Sequence, residues 1–328
     1  MTATEKPPPV GRLGASSAVR SLRLGDVDAT YVVDGVVAIR PSAFFPDVPA
    51  DAWSAWPEFV NARGEIPMSA GGLLVEREGR TLLIDVGVGA LTSKFAYGSV
   101  DWGSMLDVLA ALGRSPDDID IVAFTHLHFD HAGWAFTTDV TGRSVKTFEN
   151  ARYVLSAPEW EPYAKDPDHK DVSTPRHVIG PLASTHALIT DGDEIFPGVR
   201  AMVTGGHSPG HTCYVITSDT GRRLIVLGDA FHSPAQFAHP DWLSAADGDA
   251  MAVSRARERL LDELMRPNTF GFGFHFGDCP FGRLVTDEAG IPSWEPVPTV
   301  VFAPAPRGPQ APQLTGESRR TATKEAQS

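Results

Sequence analysis

The sequence predicts an α/β (α+β) fold, a four-layer αββα sandwich in which outer helices cover two mixed β-sheets. The main observation is an order of elements that occurs twice: a hairpin, a helix, a strand and a histidine. An acidic residue ends the hairpin in each unit, Asp85 in the first and Asp229 in the second. Each sheet needs a covered outer face, so the two sheets should pack together and present strand-end loops at one edge.

Both ends of the chain differ in composition from its middle. Residues 1–20 and 307–328 are rich in proline, serine, threonine, glutamine and charge, which is typical of mobile tails. We therefore expect a single domain over residues 21–306.

The first predicted elements are two short strands over residues 29–40, because apolar residues flank Asp34-Gly35, a dipeptide that favours a hairpin turn. Residues 41–68 then combine prolines with large aromatic residues: Phe44, Phe45, Trp53, Trp56 and Phe59. We interpret this segment as an ordered loop or helical segment. Its aromatic side chains either fill the core or form a wall over a ligand pocket.

The two repeat units follow. In the first, residues 72–76 and 81–85 predict a hairpin, residues 104–112 a helix, and residues 119–125 a strand that leads into His126.

The second unit repeats this order with strands over residues 212–217 and 223–229, a helix over 250–265 and a strand over 269–274 that leads into His275. Between the units lies a strand over residues 151–156. After it, Ser156 and Glu159 have the spacing of a capping box that opens a helix.

Composition limits the partners and the compartment. A net charge of −13 without a stripe of lysine and arginine argues against nucleic acid as a partner. Cys213 and Cys279 form no C-x-x-C pair, so neither a disulfide framework nor a thiolate zinc site is indicated. The first ten residues lack an apolar signal segment, and no apolar run is long enough for a membrane span. We expect a cytoplasmic protein without a membrane partner.

Four candidate metal ligands lie within six residues: His126, His128, Asp130 and His131. Neither a regular helix nor a strand brings all four side chains together, so this segment should be a turn. Imidazole and carboxylate groups at this density suit zinc, iron or manganese. The alternative is a surface turn that is merely rich in histidine.

Three further candidates, His207, Asp229 and His275, follow apolar strands. Taken singly, each has a simpler explanation as a hydrogen-bonding or turn residue. Together with the first four they supply five imidazoles and two carboxylates, which is the complement that two metal ions need.

These segments resemble the signature of the metallo-β-lactamase-fold hydrolases. The resemblance rests on residues 126–131, 206–212 and 227–229 and on His275, and it extends over roughly residues 25–296. It implies the αββα fold and two divalent metal ions, zinc first, with iron or manganese as alternatives. It also implies two ligand sets bridged by Asp229: His126, His128 and His207 for one metal, and Asp130, His131 and His275 for the other.

Within this family the chain is most similar to the lactonase and methyl parathion hydrolase-like branch, over residues 125–133, 229–236 with 240–242, and 274–276 with 280–283. Two positions depart from the family pattern. His275 is followed by Phe276-Gly277 instead of a residue and a proline, and His232 stands where quorum-quenching lactonases often carry a tyrosine.

The predicted reaction is hydrolysis of a small ester, lactone or phosphotriester by a hydroxide that bridges the two metals. Asp130 would orient the hydroxide, and His232 would protonate the leaving group. Asp85 is the candidate acceptor for the second N–H of a ligating histidine, whereas His211 resembles the histidine of this turn that does not ligate. His169, His177, His186 and His239 are interpreted as surface or structural residues.

Four aromatic residues beside the ligand turns, Phe129, Trp134, Phe231 and Phe237, indicate either an apolar substrate pocket or core packing. The predicted partner is a small-molecule substrate, and a homodimer is left open. The alternative functions on the same fold are a glyoxalase II-like thioester hydrolase and a mononuclear-iron persulfide dioxygenase. Both are disfavoured because no basic cluster is available for the carboxylates of glutathione. The acidic net charge and the lack of a long inserted nucleic-acid-binding domain disfavour a nuclease, and the complete set of candidate metal ligands disfavours a non-catalytic binding protein.

Overall fold

The computed structural model describes residues 10–89, 100–101, 103–166, 169, 174 and 176–302. The α-helices are α1 Pro41–Phe44, α2 Met105–Ala111, α3 Phe129–Ala132, α4 Ala157–Lys165, α5 Arg176–Leu182, α6 Ala235–Ala238 and α7 Ala250–Leu264. Short 3-10 helices span Ala52–Ala55, Pro57–Phe59 and Pro116–Asp118.

The first half of the chain builds most of one sheet, in the order β10-β9-β6-β4-β3-β2-β1-β18, with β5 paired to β2. Its strands are β1 Val19–Leu24, β2 Val27–Ile39, β3 Ile66–Arg77, β4 Arg80–Ile84, β5 Val100–Asp101, β6 Ile121–Ala123, β9 Arg152–Ser156, β10 His186–Ile189 and β18 Val300–Phe302. A separate two-stranded ribbon consists of β7 Phe136–Thr138 and β8 Ser144–Lys146.

The second half builds a seven-stranded sheet in the order β11-β12-β13-β14-β15-β16-β17. Its strands are β11 Glu194–Phe196, β12 Val199–Val203, β13 Thr212–Thr217, β14 Arg223–Val226, β15 Thr269–Phe272, β16 Phe281–Thr286 and β17 Pro292–Pro296. In each sheet the second strand of the predicted hairpin pairs in parallel with the strand that follows the helix, β4 with β6 and β14 with β15.

The two sheets pack face to face, and helices cover their outer faces. Along β3, Leu73 and Val75 join the cluster between the sheets, while Leu74 joins the cluster under α2, α4 and α5. Along β14, Leu224 points between the sheets, and Ile225 packs with the apolar side of α7. This period-two alternation is that of strands buried on both faces, and it confirms the four-layer αββα sandwich.

The hairpin predicted around Asp34-Gly35 is wrong, because β2 is one continuous strand paired with β3 through a shift of register between Val33 and Gly35. The side chain of Asp34 is fully buried at this irregularity. Its carboxylate accepts hydrogen bonds from the backbone N–H groups of Val88 (2.8 Å), Gly89 (3.1 Å) and Met105 (2.9 Å), and from the indole of Trp134 (2.8 Å). Asp34 therefore anchors the loop of Val88 and Gly89, the loop of Trp134 and the start of α2. An exposed residue in a hairpin turn could not make these contacts.

The N-terminal segment also differs from the prediction of a mobile tail over residues 1–20. Residues 10–20 lie against the domain: Ser17 N donates to Ser69 Oγ, and Ala18 N donates to Asp278. The buried Arg20 forms an ion pair with Asp278 at 2.7 Å, and β1 begins at Val19. Residues 1–9, like the predicted C-terminal tail, lie outside the described residues.

The aromatic segment over residues 41–68 is ordered and partly helical, as predicted. Phe45 and Trp53 are buried in a cluster with Met68, which supports the interpretation as core. Phe44 and Met68 also line a cavity, so the second interpretation holds for other side chains of the same segment. Within the described ranges, no helix combines the length and the apolar character that crossing a bilayer requires.

Replacing Asp34 by alanine should lower the free energy of unfolding by at least about 3 kcal/mol, because four buried donors would lose their acceptor. Urea denaturation measures the change, and the same substitution at the exposed Asp51 is the control. Equal stability of the two variants would contradict the anchoring role of Asp34.

Candidate metal centre and active site

The candidate ligands lie on turns that follow strands of both sheets at one edge of the sandwich. His126 follows β6, and Asp130 and His131 lie on the short helix α3. His207 follows β12, where Gly206 has a φ of +100° and lies so close to α7 that an added Cβ would be 2.5 Å from Val253 N. Glycine is needed there for both reasons.

Asp229 is at the centre of this group, and its two oxygens face different histidines. Oδ1 lies 3.1 Å from His131 Nε2 and 3.1 Å from His275 Nε2. Oδ2 lies 3.5 Å from His207 Nε2 and 3.8 Å from His126 Nε2. The carboxylate thus has the arrangement of a bridge between two positions.

The seven predicted residues come together as two groups whose donor atoms lie within 4.8 Å of one another. The first group consists of His126, His128 and His207, and the second consists of Asp130, His131, Asp229 and His275. These groups correspond to the two ligand sets that the sequence implies, with Asp229 placed in the second.

The chemistry of these atoms fits divalent cations. His126 Nε2, His131 Nε2 and Asp229 Oδ1 are buried, and none of them makes a hydrogen bond to the residues that the structure describes. Leaving such groups unsatisfied costs free energy, so a cluster of them needs a compensating ligand. Imidazole nitrogen and carboxylate oxygen are the donors that zinc and related ions bind.

In three of these histidines the opposite ring nitrogen has a partner that fixes the ring. His131 Nδ1 lies 2.8 Å from Asp85 Oδ2, as predicted for Asp85. His207 Nδ1 lies 3.0 Å from Asp247 Oδ1, and His275 Nδ1 lies 2.9 Å from the carbonyl oxygen of Ser69. Such contacts orient the ring and leave Nε2 for the metal.

Asp85 is held in a strained backbone conformation, with a φ of +61°. Its carboxylate accepts from the N–H and the hydroxyl of Thr125, each at 2.7 Å. The Thr125 oxygen in turn lies 3.0 Å from His126 Nδ1. One buried acid therefore orients His131 directly and His126 through Thr125.

Electrostatics separate the two groups. Burial, followed by the neighbouring histidines, holds the pKa of His126 well below its usual value and lowers the pKa of His128 to about 3. Burial also acts to lower the pKa of His131, but the carboxylates of Asp229, Asp130 and Asp85 outweigh it and raise this pKa well above its usual value. His126 and His128 therefore offer neutral imidazoles, whereas the carboxylates of the second group favour positive charge beside them, which a bound cation would supply.

Glu159 was predicted only as part of a capping box, and this prediction is half correct. The Ser156 side chain caps α4 by accepting from Glu159 N. The Glu159 carboxylate, however, is buried and accepts from Leu127 N (2.9 Å), Ser208 Oγ (2.7 Å) and Gly210 N (2.9 Å). It ties the turn of His126 and His128 to the turn of His207.

His211 does not join the ligand groups, because both of its nitrogens are engaged. Its Nε2 accepts from Asp229 N at 2.9 Å, and its Nδ1 lies 2.8 Å from Thr204 Oγ1. His211 therefore positions the backbone of Asp229. The histidines predicted as surface or structural residues lie outside both groups, for example His177 beside the carbonyl of Gly133 and His186 beside that of Leu182.

His232 is buried next to the cluster, with Nε2 3.2 Å from Asp229 Oδ2 and the ring stacked on His275 at 5.8 Å. A cavity of about 280 Å³ opens beside it. Its lining consists of Val37, Ile39, Ala43, Phe44, Met68, His128, Phe129, Asp130, Asp229, His232, Ala245, Ala246 and His275.

Of the four aromatic residues for which a pocket and the core were the alternatives, Phe129 lines this cavity. Phe231 and Phe237 pack in the core under α7, and Trp134 packs in the core under α2 and α4. The apolar wall comes instead from β2, the aromatic segment and residues 245–246, which are distant in sequence from the ligand turns.

A family model described as the metallo-β-lactamase superfamily matches residues 72–268. The chain belongs to the metallo-β-lactamase superfamily. An N-acyl homoserine lactonase from Bacillus cereus is 25% identical over 231 residues, which are 66% of this chain and 82% of that relative. The chain lies in the lactonase-like branch and is a metal-dependent hydrolase with a divalent-metal site.

Solved structures share this fold. AidC, described as a dizinc quorum-quenching lactonase in complex with a product, has a TM-score of 0.72 at 21% identity, covering 88% of this chain and 99% of its own. The hydrolase AbOPH has a TM-score of 0.71 at 23% identity, covering 86% and 98%.

Removing the metal with EDTA should lower the thermal unfolding temperature by roughly 5 °C or more, because the buried histidines and carboxylates would lose their cation. Adding Zn²⁺ should restore it, and differential scanning calorimetry measures both steps. The Asp229→Ala variant is the control, since it should respond far less to the chelator. An unchanged midpoint for the wild-type chain would argue against a metal centre.

Proposed function

We propose that the chain hydrolyses a small, uncharged ester or lactone, or a phosphotriester, at a centre that holds two divalent metal ions, with zinc as the expected metal. The observation that carries this proposal is the division of the Asp229 oxygens between two groups of histidines beside an apolar cavity. The similarity to proteins described as lactonases supports a substrate whose ester bond is part of a small ring.

The two bound cations would supply a water of lowered pKa and would polarise the oxygen of the substrate that is attacked. His126, His128 and His207 would hold one cation, and Asp130, His131 and His275 the other, with Asp229 between them. These are the ligand sets that the resemblance implies, and the donor distances support them.

Asp130 is proposed to orient the attacking water. Its side chain is 21% exposed and lines the cavity, with Oδ2 3.7 Å from both His131 Nε2 and His275 Nε2. A half-buried carboxylate at this position can accept a hydrogen bond from the water and aim it at the substrate.

His232 is proposed to donate the proton that the leaving alkoxide needs when the C–O bond breaks. Burial lowers the pKa of His232, although Asp229 opposes this effect. The ring would therefore act as an acid only after taking up a proton, which the attacking water would supply as it is deprotonated. Neither ring nitrogen makes a hydrogen bond within the described part of the chain. His232 could therefore pass the proton of the water to the leaving alkoxide in the cavity.

The lining of the cavity supports an uncharged substrate. Among its described residues there is no lysine or arginine, and Val37, Ile39, Phe44, Met68 and Phe129 provide apolar surface. A carboxylate of the substrate would have no cationic side chain to pair with there, whereas an alkyl or acyl group would be desolvated favourably.

Asp229→Ala or His128→Ala should reduce hydrolysis to the background rate, because each change removes a ligand. The measurement uses a panel of lactones, aryl esters, thioesters and organophosphates on protein whose metal content has been quantified. Tyr214→Phe, a change in the core behind the site, is a control for folding. Near-normal turnover by either ligand variant would refute the proposal.

His232→Phe should lower the rate for substrates with alkoxide leaving groups by about 10²-fold, in the range of general acid catalysis. Substrates with good leaving groups, such as nitrophenyl esters, should lose much less. The pH profile of kcat should change with the substitution. If both the rate and the pH profile stay as in the wild type, His232 does not protonate the leaving group.

A further inference from the structure

Residues 239–249, here called the wall segment, connect α6 to α7. They contact the cavity on one side and the turn of His207 on the other. Ala245 and Ala246 line the cavity, and Ala245 N donates to the carbonyl oxygen of Phe44 at 2.7 Å. The next residue, Asp247, points away from the cavity toward His207. One short segment thus contacts both the substrate space and a metal ligand.

Asp247 is the link between these two sides. Its Oδ1 lies 3.0 Å from His207 Nδ1, and both side chains are 1% exposed. Its Oδ2 accepts from Ser244 N at 2.8 Å, within the wall segment itself, and lies 3.4 Å from a terminal nitrogen of Arg257. The orientation of the His207 ring and the shape of the wall segment therefore depend on one carboxylate.

Arg257, on α7, holds the other end of this arrangement. Its guanidinium is fully buried and donates to the carbonyl oxygens of Ala230 (2.8 Å), Pro240 (2.9 Å) and Trp242 (2.7 Å). Ala230 directly follows Asp229. Together with Asp247, these three carbonyl oxygens give the buried guanidinium four partners. They fix the wall segment between α7 and the turn of Asp229.

The backbone continues the connection to the turn of His207. Asp249 N donates to the carbonyl oxygen of Gly206 at 2.8 Å, and Gly248 N donates to the carbonyl oxygens of Gly206 and His207, both at 3.1 Å. Movement of the His207 turn would therefore pull on the end of the wall segment.

We propose that the Asp247–Arg257 pair is a positioning unit that couples cation binding at His207 to the shape of the cavity wall. This inference rests on the metal centre of the proposed function. A cation on His207 Nε2 fixes the ring, the ring fixes Asp247 through Nδ1, and Asp247 fixes Ser244 and Arg257. Because coupling between two sites is reciprocal, disturbing the wall should also weaken the binding of the cation.

The first test compares Asp247→Asn with Asp241→Asn, which makes the same change at an exposed position of the same segment. Competition with a chromophoric chelator measures the affinity for Zn²⁺, and thermal unfolding checks that each variant is folded. Asp247→Asn should bind the Zn²⁺ that His207 holds 10- to 100-fold less tightly, roughly the effect of losing a partner of a ligating histidine. Asp241→Asn should bind as the wild type does.

Arg257→Met keeps the contact between Asp247 and His207 but releases the wall segment. It should raise KM more than it lowers kcat, and Arg257→Lys should recover part of KM because it keeps the buried charge. A residue that only stabilised the fold would lower the unfolding temperature without this division between KM and kcat.

The second test needs no variant. Hydrogen exchange is compared between the zinc-loaded and the chelated wild-type chain. The amides of Ser244, Gly248 and Asp249 should exchange faster after chelation, while amides of β16 and β17 should not change.

Unchanged exchange of the three wall amides after the metal has been removed would overturn the coupling, as would wild-type Zn²⁺ affinity of Asp247→Asn. These results would leave the hydrolase proposal intact if the wild-type chain hydrolyses a substrate. Conversely, faster exchange and weaker Zn²⁺ binding without hydrolysis of any substrate would support the coupling and refute the proposed substrate class.

Discussion

The Asp229 carboxylate lies buried between histidines that come from both halves of the chain, with each oxygen facing a different group. An ionised acid in such a place is unfavourable unless positive charge compensates it. Burial acts to raise the pKa of Asp229, but His131 and His275 reverse this effect and hold the pKa well below its usual value. The need for positive charge at this point explains why so many donor atoms converge there.

Buried carboxylates recur around this centre as cross-links between loops. Asp85 orients His131, Asp247 orients His207, and Glu159 joins the two turns that carry the first group of histidines. Asp34 holds the loop that follows Asp85 through Val88 N and Gly89 N. Each acid satisfies backbone or ring N–H groups that would otherwise be buried without a partner, so the loops are rigid where the ligands need fixed positions.

The chemistry and the substrate space have different origins in the fold. His126, Asp229 and His275 follow strands of the repeated units, whereas the cavity wall is built from β2, the aromatic segment and residues 245–246. None of these three wall elements belongs to the repeated pattern. This separation allows the substrate preference to vary while the metal centre is preserved.

The sequence by itself determined the layers, the repeated unit and the seven residues that converge on the candidate metal centre, because period-two patterns and dense histidine motifs are local signals. It also indicated Asp85, which ends a strand as Asp229 does. It did not indicate that Asp34 lies in a bulge, that Glu159 joins two turns, or that Asp247 contacts His207. Those roles were decided only by the tertiary structure, because each depends on a partner about 30 to 100 residues away. The cavity could not be predicted for the same reason, since Phe129 lines it and Phe231 does not. Both residues lie beside ligand turns, but their side chains point to different layers of the fold. Only the packing of distant segments decides which side chain faces the cavity.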